Sequence, residues 1–205
     1  MAEARVEFFY DLSSPWTYLA FTNLADILER AGAEAVLRPF LVGGVFNAVN
    51  QSVYAAREST DNPKLKHSWR VLKDWAKLAG VELNFPSAFH PAKSVNAMRM
   101  ACTMAGDQAA LRTFTKAAFE SYFGAKENLD DPDVLVAVAN SVGLDGDAMR
   151  ERAGTDEIKA LLRANTDEVI ARGGYGSPTI FVDKTRMYFG NDQLPLMEFA
   201  LKEKA

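Results

Sequence analysis

The spacing of apolar and polar positions changes character several times along this chain. The opening run "VEFFY" (6–10) is short, β-branched and aromatic, and it stops at Asp11, which is the pattern of a buried strand. The stretch that follows, "DLSSPWTYLAFTNLADILERAG", switches to a helical period. Pro15 suits the first helical position, so Ser14 is the expected N-cap and Gly32 the expected stop. "AEAVLRPFLV" (33–42) alternates and predicts a second strand, with Pro39 near its end. The first forty residues therefore read β-α-β, a unit that places two parallel strands in one sheet.

From about Asn62 to Ala153 the period is helical throughout. "NPKLKHSWRVLKDWAKLAG" puts Leu65, Trp69, Leu72, Ala76 and Ala79 on one face, with Lys66, Arg70, Lys73 and Lys77 largely on the other. "AKSVNAMRMACTMAG", "DQAALRTFTKAAFESYFG", "DDPDVLVAVANSVG" and "DGDAMRERAG" predict further helices, and their Met and Phe residues read as core. After one more helix, "TDEIKALLRANTDEVIARGG", strand patterns return: "SPTIFV" (177–182), a tight turn at "DKT", and "RMYFG" (186–190) as a hairpin partner. "DQLPLMEFALKEK" predicts the last helix. Without the helical block the order is β-α-β-α-β-β-α. The expected fold is therefore α/β: a thioredoxin-like domain of residues 1–45 and 154–205, with an all-helical insertion domain at 46–153.

Composition narrows the class of protein. Hydrophobic residues make up 48% of the chain, enough for a sizeable core. The net charge of −4, with no basic run, argues against a nucleic-acid partner. No apolar stretch approaches the ~20 residues that span a bilayer, and "MAEARVEFFYD" has no signal-peptide pattern, so a cytoplasmic protein off the membrane is expected. The single cysteine, Cys102, has no intrachain disulfide partner and reads as a small core residue. It and two distant histidines offer no metal-ligand spacing, and no metal is expected.

Three stretches converge in such a fold: "SSPWT", "GSPT" and "FGND". Some folds carry Cys-x-x-Cys at the first of these junctions; here the four positions are Ser14-Pro15-Trp16-Thr17, without sulfur. A helix N-terminus favours an anion, and the Ser14 hydroxyl can donate to a thiolate or oxyanion, although it can equally serve as a cap alone. Nothing in the sequence places His67 or His90 beside Ser14, so a Ser-His pair is not expected. Pro178 opens a strand. A cis bond there leaves the N–H and C=O of Ser177 open to an extended peptide; the other reading is a trans proline at a strand edge. Gly190 permits a tight turn, after which Asn191 or Asp192 caps the last helix, and Asp192 can also accept from a ligand ammonium. Asn50 and Lys64 can reach over the cleft, but alone they read as solvated residues.

The stretches "YDLSSPWTYLA", "NPKLKHSWRVLKDWAKLAGVEL", "VNAMRM", "GSPTIFV" and "FGNDQL" occur in an order that resembles the 2-hydroxychromene-2-carboxylate isomerases and the related kappa-class glutathione transferases. The resemblance covers nearly the whole chain. It implies a thioredoxin arrangement with a helical insertion, a homodimer, and glutathione as the cofactor. It also implies roles. Ser14 meets the glutathione sulfur; Ser177, before a cis Pro178, holds the glutathione cysteine through its backbone; Asn191 and Asp192 hold the γ-glutamyl end; Asn50 and Lys64 lie over the ligand. Two positions depart from the family pattern: Gln193 stands where arginine is usual, and Ser177 where valine is common.

The activity implied is a glutathione-dependent isomerisation of 2-hydroxychromene-2-carboxylate to trans-o-hydroxybenzylidenepyruvate, a small aromatic electrophile of aromatic catabolism. A kappa-class transferase or peroxidase and a non-catalytic peptide or thiol binder are the alternatives. Disulfide exchange is disfavoured, because Ser14 and Thr17 cannot form a disulfide. Trp16, Phe46 and Phe89 are the residues expected to line the electrophile's pocket.

Overall fold

The computed structural model describes residues 5–53 and 62–203. Strand β1 (Arg5–Tyr10) lies inside a four-stranded sheet of order β2-β1-β3-β4. Strand β2 (Glu34–Pro39) runs parallel to it, with Val6 opposite Ala35. Strand β3 (Thr179–Val182) runs antiparallel, with Val6 opposite Val182, and strand β4 (Arg186–Phe189) completes a hairpin with β3. Asp183 and Lys184, both at positive φ, turn that hairpin. The helices are α1 (Pro15–Ala31), α2 (Val42–Val49), α3 (Pro63–Leu78), α4 (Val95–Cys102), α5 (Gln108–Phe119), α6 (Pro132–Ser141), α7 (Gly146–Ala153), α8 (Asp156–Ala171) and α9 (Leu194–Lys202). A π-helical turn, Glu120–Gly124, extends α5. This is the α/β order expected, with helices α3 to α7 set between the two parts of the thioredoxin-like arrangement.

The apolar residues of β1 are buried on both faces of the sheet. Val6, Phe8 and Tyr10 join the larger core with residues of α1, while Phe9 joins Phe40, Val45, Val169 and Phe181 on the opposite face. Glu7 shares that second face and is buried; it is paired with Arg38 at 3.2 Å and Arg172 at 2.8 Å. The larger core does not stop at the sheet. Tyr18 of α1 stacks on Phe119 and Phe123, with ring centroids 5.2 and 5.7 Å apart, which joins the helical block to the first helix. Cys102 is buried in this core, as expected, and burial pushes its thiol up to about 12.

The second strand is shorter than its sequence pattern suggests. Val42 is not its end but the first residue of α2. Its N–H donates to Asp11 Oδ2 at 2.9 Å, and the N–H of Leu41 donates to Thr166 Oγ1 at 3.0 Å. These two distant acceptors turn the chain where local alternation would carry it on.

Candidate active site

The end of β1, the start of α1 and the start of β3 meet at one point. Ser14 is the N-cap of α1: its backbone is extended (φ −97°, ψ 118°), and its Oγ accepts the N–H of Thr17 at 3.3 Å. Pro15 occupies the first helical position and has no N–H. The amide of Trp16 makes no hydrogen bond among the described residues, so the first turn of the helix leaves that donor for an anion. Ser14 Oγ also donates to the carbonyl of Ser177 at 3.1 Å, and the bond from Ser177 to Pro178 is cis. The carbonyl of Ser177, expected to be open to a ligand, is thus already occupied by Ser14.

The Ser177 side chain, which stands where valine is common, is a polar knot. Its Oγ accepts the N–H of Asp11 at 2.9 Å and lies 2.7 Å from Thr17 Oγ1. It therefore links the residue that follows β1 to the first turn of α1. Asp11 extends this seam. It is fully buried, and its carboxylate accepts from the N–H groups of Ser13 and Val42, each at 2.9 Å, and from Ser94 Oγ at 3.0 Å. Burial pushes its pKa up, and these hydrogen bonds, led by the Ser13 and Val42 amides, pull it back down. From the sequence, Asp11 reads only as the end of a strand. A polar residue closing an apolar run is the available signal, but the partners of its carboxylate lie up to 83 residues away.

A cavity of about 530 Å³ opens over Ser14. Its walls include Ser13, Trp16, Phe46 and Ser177, together with Leu65, Trp69, Leu72 and Phe85. Leu65, Trp69 and Leu72 belong to the apolar stripe expected on α3, so that stripe faces the cleft as well as the core. A second cavity of about 270 Å³ shares Trp16, Ser177 and Phe189 with the first and ends at Gly190 and Asp192.

The expected site residues are brought together unevenly. Trp16 and Phe46 line the larger cavity; Phe89 does not, and it is exposed. Asn50 also lines it. It is the C-cap of α2, and its Nδ2 donates to the carbonyl of Tyr175 at 3.0 Å. Lys64 is exposed on the first turn of α3 and is not a lining residue, although its neighbour Leu65 is. Asp192 is exposed and lines the smaller cavity. Asn191 is buried; its Oδ1 accepts from Asn23 Nδ2 at 2.8 Å, and its own Nδ2 has no partner among the described residues. Neither Asn191 nor Asp192 caps the last helix by its side chain, because α9 starts two residues later, with Gln193 at the N-cap position.

His90 is the residue that the sequence alone does not place here. It lines the same cavity as Ser14, 76 positions away in the chain, on an irregular segment between α3 and α4. Its Nδ1 lies 3.2 Å from the Tyr122 hydroxyl, and the ring packs edge-on against Phe85 with centroids 4.5 Å apart.

Residues 5–202 match the family described as the DSBA-like thioredoxin domain. A 2-hydroxychromene-2-carboxylate isomerase from Sphingobium xenophagum is 30% identical over 193 residues, which span 94% of this chain and 95% of that protein. Glutathione S-transferase kappa 1 from Rattus norvegicus is 26% identical over 216 residues, spanning 97% and 91%. Among solved structures, a 2-hydroxychromene-2-carboxylate isomerase superposes with a TM-score of 0.80 at 22% identity, covering 98% of this chain and 95% of that one. With its fold, its cis Pro178 and its serine at the head of α1, the chain belongs to the DSBA-like thioredoxin family, among the 2-hydroxychromene-2-carboxylate isomerases and kappa-class glutathione transferases.

Proposed function

We propose that the protein is a glutathione-dependent isomerase that converts 2-hydroxychromene-2-carboxylate to trans-o-hydroxybenzylidenepyruvate. The observation that carries this reading is the position of the Ser14 hydroxyl. It stands at a helix N-terminus, beside the residue before a cis proline, on the floor of a mostly apolar cavity. That is a place for a thiolate supplied from outside and a flat aromatic partner above it.

The residues present fit glutathione. Two adjacent cavities that share Trp16, Ser177 and Phe189 suit a ligand longer than the substrate alone, and the smaller one is lined by Asp192, whose carboxylate would accept from an ammonium group. The unpartnered Nδ2 of buried Asn191 is a donor that a ligand carboxylate would satisfy. Ser177 would hold the ligand's peptide backbone beside Pro178, and Asn50 and Lys64 would stand over it. When bound, glutathione supplies the thiolate that adds to the substrate's conjugated double bond, allows rotation, and leaves.

The protein's own part is to position and to stabilise charge. The Ser14 hydroxyl has one proton, given to the Ser177 carbonyl in this structure. A hydrogen bond to a charged acceptor is worth about 1.5–3 kcal/mol against about 0.5–1.5 for a neutral one, so a thiolate would draw that proton to itself. The Trp16 amide and the helix dipole act in the same direction. Asp11, the nearest carboxylate in sequence, spends its oxygens on Ser13, Val42 and Ser94.

A kappa-class transferase, which would retain the sulfur in its product, uses the same features and is supported by the rat relative. The deciding assay follows 2-hydroxychromene-2-carboxylate by absorbance with and without glutathione. Turnover that requires glutathione but does not consume it is the expected result. Consumption of glutathione with stoichiometric conjugate would make the protein a transferase, and no reaction with any electrophile would leave a binder.

A further inference from the structure

The turn that presents Ser14 is tied to the helical block as well as to the sheet. We propose that Met98, with Ser94 one helical turn before it, is a positioning residue for Ser14: the N-terminal end of α4 holds the Asp11–Leu12 peptide, and through it sets where the Ser14 hydroxyl and the Trp16 amide point. This rests on the reading of Ser14 above as the group that meets the glutathione thiolate.

Four consecutive amides define the turn between β1 and α1, and each donates to a different atom. The N–H of Asp11 goes to Ser177 Oγ at 2.9 Å, that of Ser13 to Asp11 Oδ1 at 2.9 Å, and that of Ser14 to the Asp11 carbonyl at 3.3 Å. The N–H of Leu12 donates to Met98 Sδ at 3.3 Å and has no other acceptor among the described residues. Leu12 and Met98 are both fully buried. A thioether is a weak acceptor, yet here it answers a buried backbone donor, a group that is costly to leave unpaired. Met98 lies in the stretch "VNAMRM", and the residue just before that stretch is Ser94. Ser94 stands at the N-cap of α4, but its hydroxyl does not cap that helix; it donates to Asp11 Oδ2 at 3.0 Å. Its φ of 55° lies in the left-handed region, which serine seldom adopts. Four positions apart, Ser94 and Met98 share one face of α4 and reach the same turn. A diverted cap and a strained backbone at one helix end point to a task beyond that helix.

Without the sulfur, the Leu12 amide would stand unpaired in a closed core. The next opening along the chain is at Ser13, which lines the cavity over Ser14. The amide would reach water there only by rotation of the Asp11–Leu12 peptide, and that rotation carries Ser13 and Ser14 with it. The Ser14 hydroxyl is placed by bonds of 3.1 Å to the Ser177 carbonyl and 3.3 Å from the Thr17 amide, so a shift of its backbone re-aims it. A donor preorganised for developing or fixed charge loses its worth as it moves off line. A misplacement of about 1 Å, caused far from the reacting atoms, can cost about 100-fold in rate.

The test compares Met98→Leu with Met100→Leu in the whole protein. Both exchange a buried thioether on α4 for an alkyl group of similar volume, but the Met100 sulfur accepts no hydrogen bond among the described residues. Ultraviolet thiolate absorbance of bound glutathione against pH should give a midpoint about half a unit or more higher in Met98→Leu than in wild type. Its kcat with 2-hydroxychromene-2-carboxylate should fall about tenfold, while glutathione affinity by calorimetry changes less than about threefold. Met100→Leu should leave the midpoint and kcat unchanged. Asp11, His90, Lys64 and Asp192 are the same in all these proteins, so a moved midpoint reports a moved Ser14 rather than a changed charge. Ser94→Gly, which removes the hydroxyl and suits the positive φ, should move the midpoint in the same direction by a smaller amount. A folded Met98→Leu variant with the wild-type midpoint and kcat would overturn the proposal, whatever stability it had lost. So would rapid hydrogen exchange of the Leu12 amide in the native wild type, even if Met98→Leu fails to fold. A wild type that shows no thiolate of bound glutathione would overturn the reading of Ser14 itself, a distinct result.

Discussion

On the sheet side of the cleft, position is set by hydrogen bonds. Asp11, Ser13, Ser14, Thr17 and Ser177 form one seam tied by hydrogen bonds of 2.7 to 3.3 Å. On the helical side, position is set by stacked rings: Tyr18, Phe119, Phe123 and Phe85 pass contact from α1 to the wall beside His90. Directional bonds fix a hydroxyl to within tenths of an ångström, which a charge-stabilising group needs. Ring packing fixes a shape but not a bond, which suits a surface for a flat apolar substrate. The polar wall therefore specifies where the reacting sulfur would sit, and the aromatic wall specifies what can lie against it.

The sharpest break in the polar wall is Asp11→Ala. It leaves two buried amides and the Ser94 hydroxyl without an acceptor, and each orphaned group costs about 1–3 kcal/mol. A loss of about 3 kcal/mol or more in denaturant unfolding is expected from that sum. A loss under about 1 kcal/mol, less than one such group, would mean that the seam is not what holds this wall.

Ser14→Ala tests the same wall at its catalytic point. It should reduce kcat by an amount equivalent to about 1.5–3 kcal/mol, the worth of a hydrogen bond to a charged group, and reduce glutathione affinity much less. It should also cost about 1 kcal/mol of stability through the lost cap on Thr17. Equal kcat in mutant and wild type would reduce Ser14 to a cap.

Asp192→Ala acts at the far end of the smaller cavity. Calorimetry should show glutathione binding weakened by about 1–3 kcal/mol, with the fold unchanged, since this carboxylate is exposed and caps nothing. Unchanged affinity would move the γ-glutamyl end elsewhere.

The mildest effect tests the apolar wall through pH. Burial raises the Cys102 thiol from 9.0 to about 12, and the Tyr18 and Tyr122 hydroxyls from 10.0 to about 12. The folded chain keeps these protons where the unfolded chain has released them. Their contribution is therefore fully present below about pH 9 and is lost as pH rises toward about 12. Chemical denaturation from about pH 8 to about pH 11 should show stability falling on the alkaline side. Cys102 should also resist alkylation by iodoacetamide at about pH 8 in the native protein, and rapid labelling there would show that this core opens.

Much of this protein is legible without coordinates, and the reason is local. The run "VEFFY" could only be a buried strand, Ser14-Pro15 carries the start of a helix in two residues, and the stripe from Leu65 to Ala76 declares its apolar face by period alone. What tertiary structure decided lies beyond that range. Val42 begins a helix because Asp11 and Thr166 supply acceptors there, against the alternation of its own neighbourhood. The Ser177 carbonyl is occupied because Ser14 faces it across 163 residues of chain. His90 reaches the Ser14 cavity because the segment bearing it is folded back against Tyr122 and Phe85. Period, capping and turn chemistry act over a few residues and can be read from them. The partner of a buried acid or the neighbour of an imidazole depends on how distant elements pack, and no short stretch of this chain contains that information.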